Sequence, residues 1–247
     1  MSGHSKWHNI RLRKGKQDAE RGKIFTKLAR EIIVAAKGGS NPDANVRLRL
    51  AIQKAKDNSM PADNIKRAIQ RGAGELEGQS FEEVTYEGYG PGGVGVIVEC
   101  LTDNKNRTYP EVRSIFTKNG GRIAESGSVA WSFNPKGVVS IQREDSITED
   151  AVMEAALEAG AEDVKAEEET FDVITAPEDF GTVRDALEAA GLPIDNADVA
   201  MLPQTTVEVT GKDAELTLRL MDLLEDHDDV QNVYANFDIP DEELAAA

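Results

Sequence analysis

The residues with the most evident chemistry are cations. Lys6, Arg11, Arg13, Lys14, Lys16, Arg21, Lys23, Lys27 and Arg30 fall within 25 positions, opposed by Asp18 and Glu20. Closely spaced ammonium and guanidinium groups suit the phosphates of a nucleic acid, whose counterions they release. Trp7, between Lys6 and His8, adds a ring on which an unpaired base can stack. His8, beside it, can meet a phosphate or a base edge. Ahead of Asp18 the chain has little apolar content and cannot bury a face of its own. The same arm also fits a solvated tail, or a segment docked on an acidic body.

More cations follow at helical spacing. Arg47, Arg49 and Lys54 lie on one amphipathic stretch, and Lys66, Arg67 and Arg71 on the next. Arg67 and Arg71 share a face at i, i+4, while Ile65 and Ile69 share another. The pair of stretches has the order of a helix-turn-helix, yet the turn around Asp57–Pro61 lacks the usual glycine. Phosphate affinity is therefore expected rather than base-specific reading. Asn104-Lys105-Asn106-Arg107, with Arg113 beyond, is equally readable as a second basic patch or as a simple loop before a helix.

Other chemistries find little support. Gly88, Gly90 and Gly93 spell G-x-G-x-x-G, but the strand-like Val94-Gly95-Val96-Ile97-Val98 follows where a dinucleotide site needs a helix. Pro91 and the glycines fit a hairpin turn instead. His4 and His8 lack a third ligand and sit among cations that repel a dication. His227, within Glu225-Asp226-His227-Asp228-Asp229, reads as the end of an acidic helix. Cys100 is the lone cysteine, which excludes an intramolecular disulfide. No nucleophile elbow, phosphate-binding loop or H-E-x-x-H occurs. No catalytic residues, metal or cofactor are expected, and an enzyme acting on an acidic substrate is disfavoured.

The elements that must position the cations are helices. Apolar residues from Asp18 to Lys37 (Ile24, Phe25, Leu28, Ala29, Ile32, Ile33, Ala36) form one stripe, ended by Gly38-Gly39. Asn41-Pro42 supplies a cap and first-position proline for a second helix, and Pro61 opens a third. Gly72–Gly78 has a linker's composition. An α+β region follows: strands Val84–Tyr89 and Val94–Leu101, a helix opened by the capping box Thr108-x-x-Glu111, and a strand Ser128–Phe133. From Gly137 the order is strand, helix, strand, strand, helix, strand, the ferredoxin-like sequence. Ala156-Leu157-Glu158-Ala159 and Ala186-Leu187-Glu188-Ala189 suggest an internal repeat of thirty residues. The C-terminal strand–helix–strand, Thr205–Phe237, can complete the sheet begun at Val84.

Composition sharpens the contrast. The 247 residues carry a net charge of −17, which alone argues against nucleic acid. Yet residues 1–71 hold 17 Lys and Arg against 6 Asp and Glu, and the other 176 residues hold 11 against 39. A basic quarter adjoins a strongly acidic remainder. No signal-like opening and no long apolar run are present, so a cytoplasmic protein without membrane contact is expected.

Gly3-His4-Ser5-Lys6-Trp7, Arg21-Gly22-Lys23-Ile24-Phe25-Thr26-Lys27, Tyr86-Glu87-Gly88-Tyr89-Gly90-Pro91-Gly92-Gly93, Asp103-Asn104-Lys105-Asn106-Arg107-Thr108 and Gly127-Ser128-Val129-Ala130 resemble the YebC family over Gly3 to about Phe237. The resemblance implies an α+β, multidomain protein with an N-terminal three-helix bundle and two α+β domains, the last inserted into the second. In this chain that gives residues 1–78, 79–134 with 204–247, and 135–203. It implies a nucleic-acid-binding regulator, DNA-binding and transcriptional by the family's usual description. The alternative is a ribosome- or RNA-associated translation factor, with ribosomal or other protein partners met by the acidic domains. Position 12, often histidine in that family, is Leu12 here, so Arg13 and Lys14 remain without a histidine contact to a base.

Overall fold

The computed structural model describes residues 17–144, 146–167 and 170–240, with side chains from Gly22 onward. The basic quarter forms α1 (Gln17–Ala36), α2 (Val46–Asp57) and α3 (Ala62–Gly72). Leu28, Ile32, Ile33 and Ala36 of α1 bury against Leu48, Ala51 and Ala55 of α2 and Ile65 and Ala68 of α3. Both shorter helices pack chiefly on α1 rather than on each other. Gly72 is the last residue of α3, where a Cβ would stand 2.3 Å from the Ile33 carbonyl oxygen and 2.6 Å from Ala36 Cβ. Only glycine fits that approach.

Two local expectations are corrected. Asn45, not Asn41, caps α2, its side chain accepting from the Leu48 N–H at 3.0 Å. The α2–α3 turn dispenses with glycine because Ser59 takes the left-handed conformation, φ 58°. The Ser59 and Met60 N–H groups then close onto Lys56 and Ala55 carbonyls, and Met60 is buried.

The apolar cluster of the helices does not end at the linker. It takes in Phe81 and Leu101 of the α+β region. The described residues up to Ser132 together with those from Thr205 onward make one compact unit, and Phe133–Gln204 make a second. In the first unit, β1 (Glu82–Tyr89), β2 (Gly95–Thr102) and β3 (Arg122–Ala124) share an antiparallel sheet with β9 (Val230–Ala235), in the order β3-β1-β2-β9. Helices α4 (Lys105–Lys118) and α7 (Gly211–Glu225) cover it, with Val96, Val98, Phe116, Leu220 and Met221 in the core. A short parallel pair, β8 (Val207–Glu208) with β10 (Phe237–Asp238), lies alongside. The glycine pattern at 88–93 links the antiparallel β1 and β2, with Gly92 and Gly93 at positive φ.

The second unit holds β4 (Phe133–Gln142), α5 (Glu149–Glu158), β5 (Asp163–Ala166), β6 (Thr170–Thr175), α6 (Phe180–Ala189) and β7 (Ile194–Pro203). Its antiparallel order β5-β6-β4-β7 is that of a ferredoxin-like sheet. The thirty-residue repeat does not survive as a structural equivalence. Leu157 is exposed whereas Leu187 is buried, and the matching inward pairs are Val152/Ala156 and Val183/Leu187, 31 residues apart. The fold class is thus α+β. Among the described residues no helix is long and apolar enough to cross a membrane, and no cluster of metal ligands occurs.

Candidate nucleic-acid interface

The candidate cations separate into three groups. Lys6, Trp7, His8, Arg11, Arg13, Lys14 and Lys16 lie outside the described residues, and Arg21 falls on α1 without a described side chain. The second group is engaged within the protein. Lys23, Lys27 and Arg30 recur at i, i+4, i+7 and form a stripe on α1 that meets the C-terminal end of α7. Lys27 Nζ donates to the Glu225 carbonyl at 2.7 Å, and Lys23 Nζ to that of Asp226 at 3.5 Å. Arg30 donates to the carbonyls of Asp228 (2.5 Å) and Leu101 (3.3 Å), and its guanidinium stands 5.0 Å from the centre of the Phe81 ring. The cause is visible in α7. Its last turn carries no basic residue, so the unsatisfied carbonyls and the negative end of the helix dipole draw cations from α1 instead.

Asp229 anchors this seam. Its carboxylate accepts from Arg30 at 2.9 Å, Arg107 at 2.7 Å, and the hydroxyls of Thr108 at 2.7 Å and Thr102 at 3.2 Å. Burial pushes its pKa up, but hydrogen bonds from Arg107 and Thr108 and the charges of Arg107 and Arg30 outweigh burial, and the net shift is downward. The capping-box expectation fails for the same reason. Asn104 caps α4, leaving Thr108 inside the helix and turned to Asp229, while Glu111 reaches His227 Nε2 at 2.9 Å. The Asp229 N–H donates to His227 Nδ1 at 3.1 Å, so His227 braces the turn after α7. The possible second basic patch is also engaged: Lys105 pairs with Glu82 at 2.5 Å and Arg107 with Asp103 at 3.0 Å. Arg47 grips Glu83 with two nitrogens, one at 3.2 Å.

The third group faces solvent. Arg49 on α2 and Lys66, Arg67 and Arg71 on α3 are exposed and form no ion pair or side-chain hydrogen bond among the described residues. On α3, Ile65 and Ala68 turn inward while Arg67 and Arg71 lie one turn apart on the outer face. The helix therefore presents cations whose charge nothing in the described fold neutralises. A stripe of this kind can meet successive phosphates.

Sequence reasoning passed over two sites. Asp229 is indistinguishable by type from Glu225, Asp226 and Asp228, and only the fold selects it. The segment read as a strand, Ser128–Phe133, is instead a loop ending in a short 3-10 turn, Ala130–Ser132, before β4. Glu87 of β1 fastens that loop by accepting the N–H groups of Gly127, Val129 and Ala130 at 2.6–2.8 Å. These bonds outweigh burial and lower its pKa.

Comparison with known proteins agrees in one direction. Residues 5–75 match the TACO1/YebC protein N-terminal domain, and residues 81–237 match the TACO1/YebC second and third domain. A "Probable transcriptional regulatory protein" of Geobacter sulfurreducens is 58% identical over 245 residues, covering 99% of this chain and 98% of that one. A protein of the same description from Pelotomaculum thermopropionicum is 58% identical over 243 residues, 98% of this chain and 100% of its own length. The crystal structure of a conserved hypothetical protein from Aquifex aeolicus matches with a TM-score of 0.85 at 50% identity, covering 93% and 95% of the two chains. With both family models and full-length relatives in agreement, the chain belongs to the TACO1/YebC family.

Proposed function

We propose that this protein is a cytoplasmic, DNA-binding regulator of transcription whose basic helical segment, residues 1–78, grips the duplex backbone. The carrying observation is the outward cationic face of α3, Lys66, Arg67 and Arg71, joined by Arg49 of α2. The names borne by its relatives support regulation rather than catalysis. The α+β parts, 79–134 with 204–247 and the inserted 135–203, carry most of the acid. Duplex DNA repels such surfaces, which leaves them to protein partners and orients the molecule on its target.

Two measurements test the reading. Crosslinking in cells followed by sequencing of the bound nucleic acid should recover promoter DNA; recovery of ribosomal RNA alone would overturn it. In vitro, log K for a duplex should fall with log salt by about 0.9 per phosphate neutralised. R67A/R71A should then flatten the slope by about 1.8. An unchanged slope removes α3 from the interface.

A further inference from the structure

The loop that Glu87 holds has an outer surface that the helical segment does not explain. Glu87 is 5% exposed, a costly position for a carboxylate, and its three backbone partners fix the loop from Gly127 to Ala130. At the end of that loop Trp131 is 73% exposed. Its indole N–H already donates to the Ser128 carbonyl at 3.0 Å. The Tyr89 hydroxyl donates to the same oxygen at 3.0 Å, and the Arg122 guanidinium stands 5.2 Å from the centre of the Tyr89 ring. Strand pairing of Tyr89 with Arg122 sets that neighbourhood at the sheet edge, since β3 is an outer strand. Arg122, Tyr89, Ser128 and Trp131 thus form one strip.

We infer that this strip is a second nucleic-acid contact, in which Trp131 stacks on an unpaired base of single-stranded DNA while Arg122 meets the adjoining phosphate. With the N–H satisfied inside the loop, the outward contact falls to the ring faces, which suit any base. A rigid loop means that stacking does not have to order the indole first. Local charge favours the same occupant. The α+β body is acidic overall, yet from Arg113 to Ser132 it carries Arg113, Lys118 and Arg122, all exposed, against Glu125. An apolar protein partner would be indifferent to these cations, whereas a strand of phosphates is drawn to them. The inference rests on DNA as the target but on residues separate from α2 and α3.

The test uses the full chain with two probes, a twelve-residue deoxyadenylate single strand and a duplex without unpaired bases. W131A should bind the single strand about 5- to 150-fold more weakly, the loss expected for one stacked base. The duplex affinity should stay within about twofold. W131F keeps a stacking ring and should retain most of the affinity, and in W7F, where Trp131 is the single remaining indole, saturation with the strand should quench the fluorescence. Equal single-strand affinity of W131A and the unaltered protein overturns the inference, and so does W7F fluorescence that stays unquenched at saturation. If R67A/R71A leaves duplex binding intact, the α3 reading fails, while the single-strand result still judges Trp131.

Discussion

Replacing Asp229 with asparagine tests whether the basic helix α1 is part of the fold or an adaptable arm. The side chain is nearly inaccessible, and Arg30 beside it is only 15% exposed. Removing the charge leaves Arg30 partly buried without its counter-ion, a change that typically costs about 3–5 kcal/mol. Arg107 is 43% exposed, so water screens its share, which lies in the range of about 0–1 kcal/mol. Asparagine still accepts from Thr108 or Thr102, so we take the lower end, about 3 kcal/mol. For a unit of this size that corresponds to a fall in melting temperature of about 6–12 °C.

The pH dependence gives the sharper signature. The Asp229 pKa is lowered on folding, with burial opposed and outweighed by Arg107, Thr108 and Arg30. Its contribution is therefore present above the unfolded carboxylate value, about 3.9, and is lost as pH falls through the folded value. Calorimetry should show the full gap between the two proteins at pH 7 and a closing gap below about pH 4. D228N is the control, because Arg30 uses the Asp228 carbonyl and not its side chain. Hydrogen exchange should place the loss at residues 226–229 and the first turn of α4. A D229N protein that melts with the unaltered one at pH 7, or a gap that stays constant into acid, refutes this account of the seam.

Two further substitutions separate fold from binding. K27A should lower stability by about 0.5–2 kcal/mol, because it strips a cation from the α7 C-terminus, yet leave the salt slope of duplex binding unchanged; a slope flattened by about 0.9 would mean that Lys27 meets phosphate after all. G72A forces a methyl group against the Ile33 carbonyl and Ala36, and should cost about 1–3 kcal/mol by overpacking, read by chemical denaturation. Unchanged stability would mean that α1 and α3 separate without penalty.

Much of the architecture is legible in the sequence because periodicity reports burial. The stripe Leu28, Ile32, Ala36 specifies α1, and the strand–helix–strand–strand–helix–strand order after Gly137 yields the ferredoxin-like sheet. Errors cluster where a side chain is recruited from far along the chain. Thr108 and Glu111 match a capping box locally, but Asp229 and His227, more than a hundred residues away, claim them. Ser128–Phe133 reads like a strand, but Glu87, some forty residues earlier, accepts the N–H groups of Val129 and Ala130, with that of Gly127 before them, where a strand would need a neighbouring strand. The thirty-residue repeat is a match of letters between helices whose buried faces are offset by one residue. Local pattern cannot report a partner that only folding supplies.

The same limit governs the cations, and it changes what the charge split means. The sequence of α1 offers Lys23, Lys27 and Arg30 as phosphate ligands, and nothing local argues otherwise. The acidic run after Leu224 supplies the other half: its carbonyls and Asp229 take all three. Part of the positive excess of the basic quarter is thus matched inside the first unit, against part of the acidic excess of the remainder. Outward charge on the described helical segment reduces to Arg49, Lys66, Arg67 and Arg71 among the candidate residues. Four such cations account for a salt slope of no more than about −3.6 on duplex DNA. A steeper measured slope must therefore draw on further cations: Lys56, exposed on α2, or Lys6, Arg11, Arg13, Lys14, Lys16 and Arg21 ahead of the described side chains. Alanine at Arg11, Arg13 and Lys14 would then flatten it by up to about 2.7. A slope near −3.6 that these three substitutions leave unchanged would exclude the arm from the interface and assign the grip to α2 and α3.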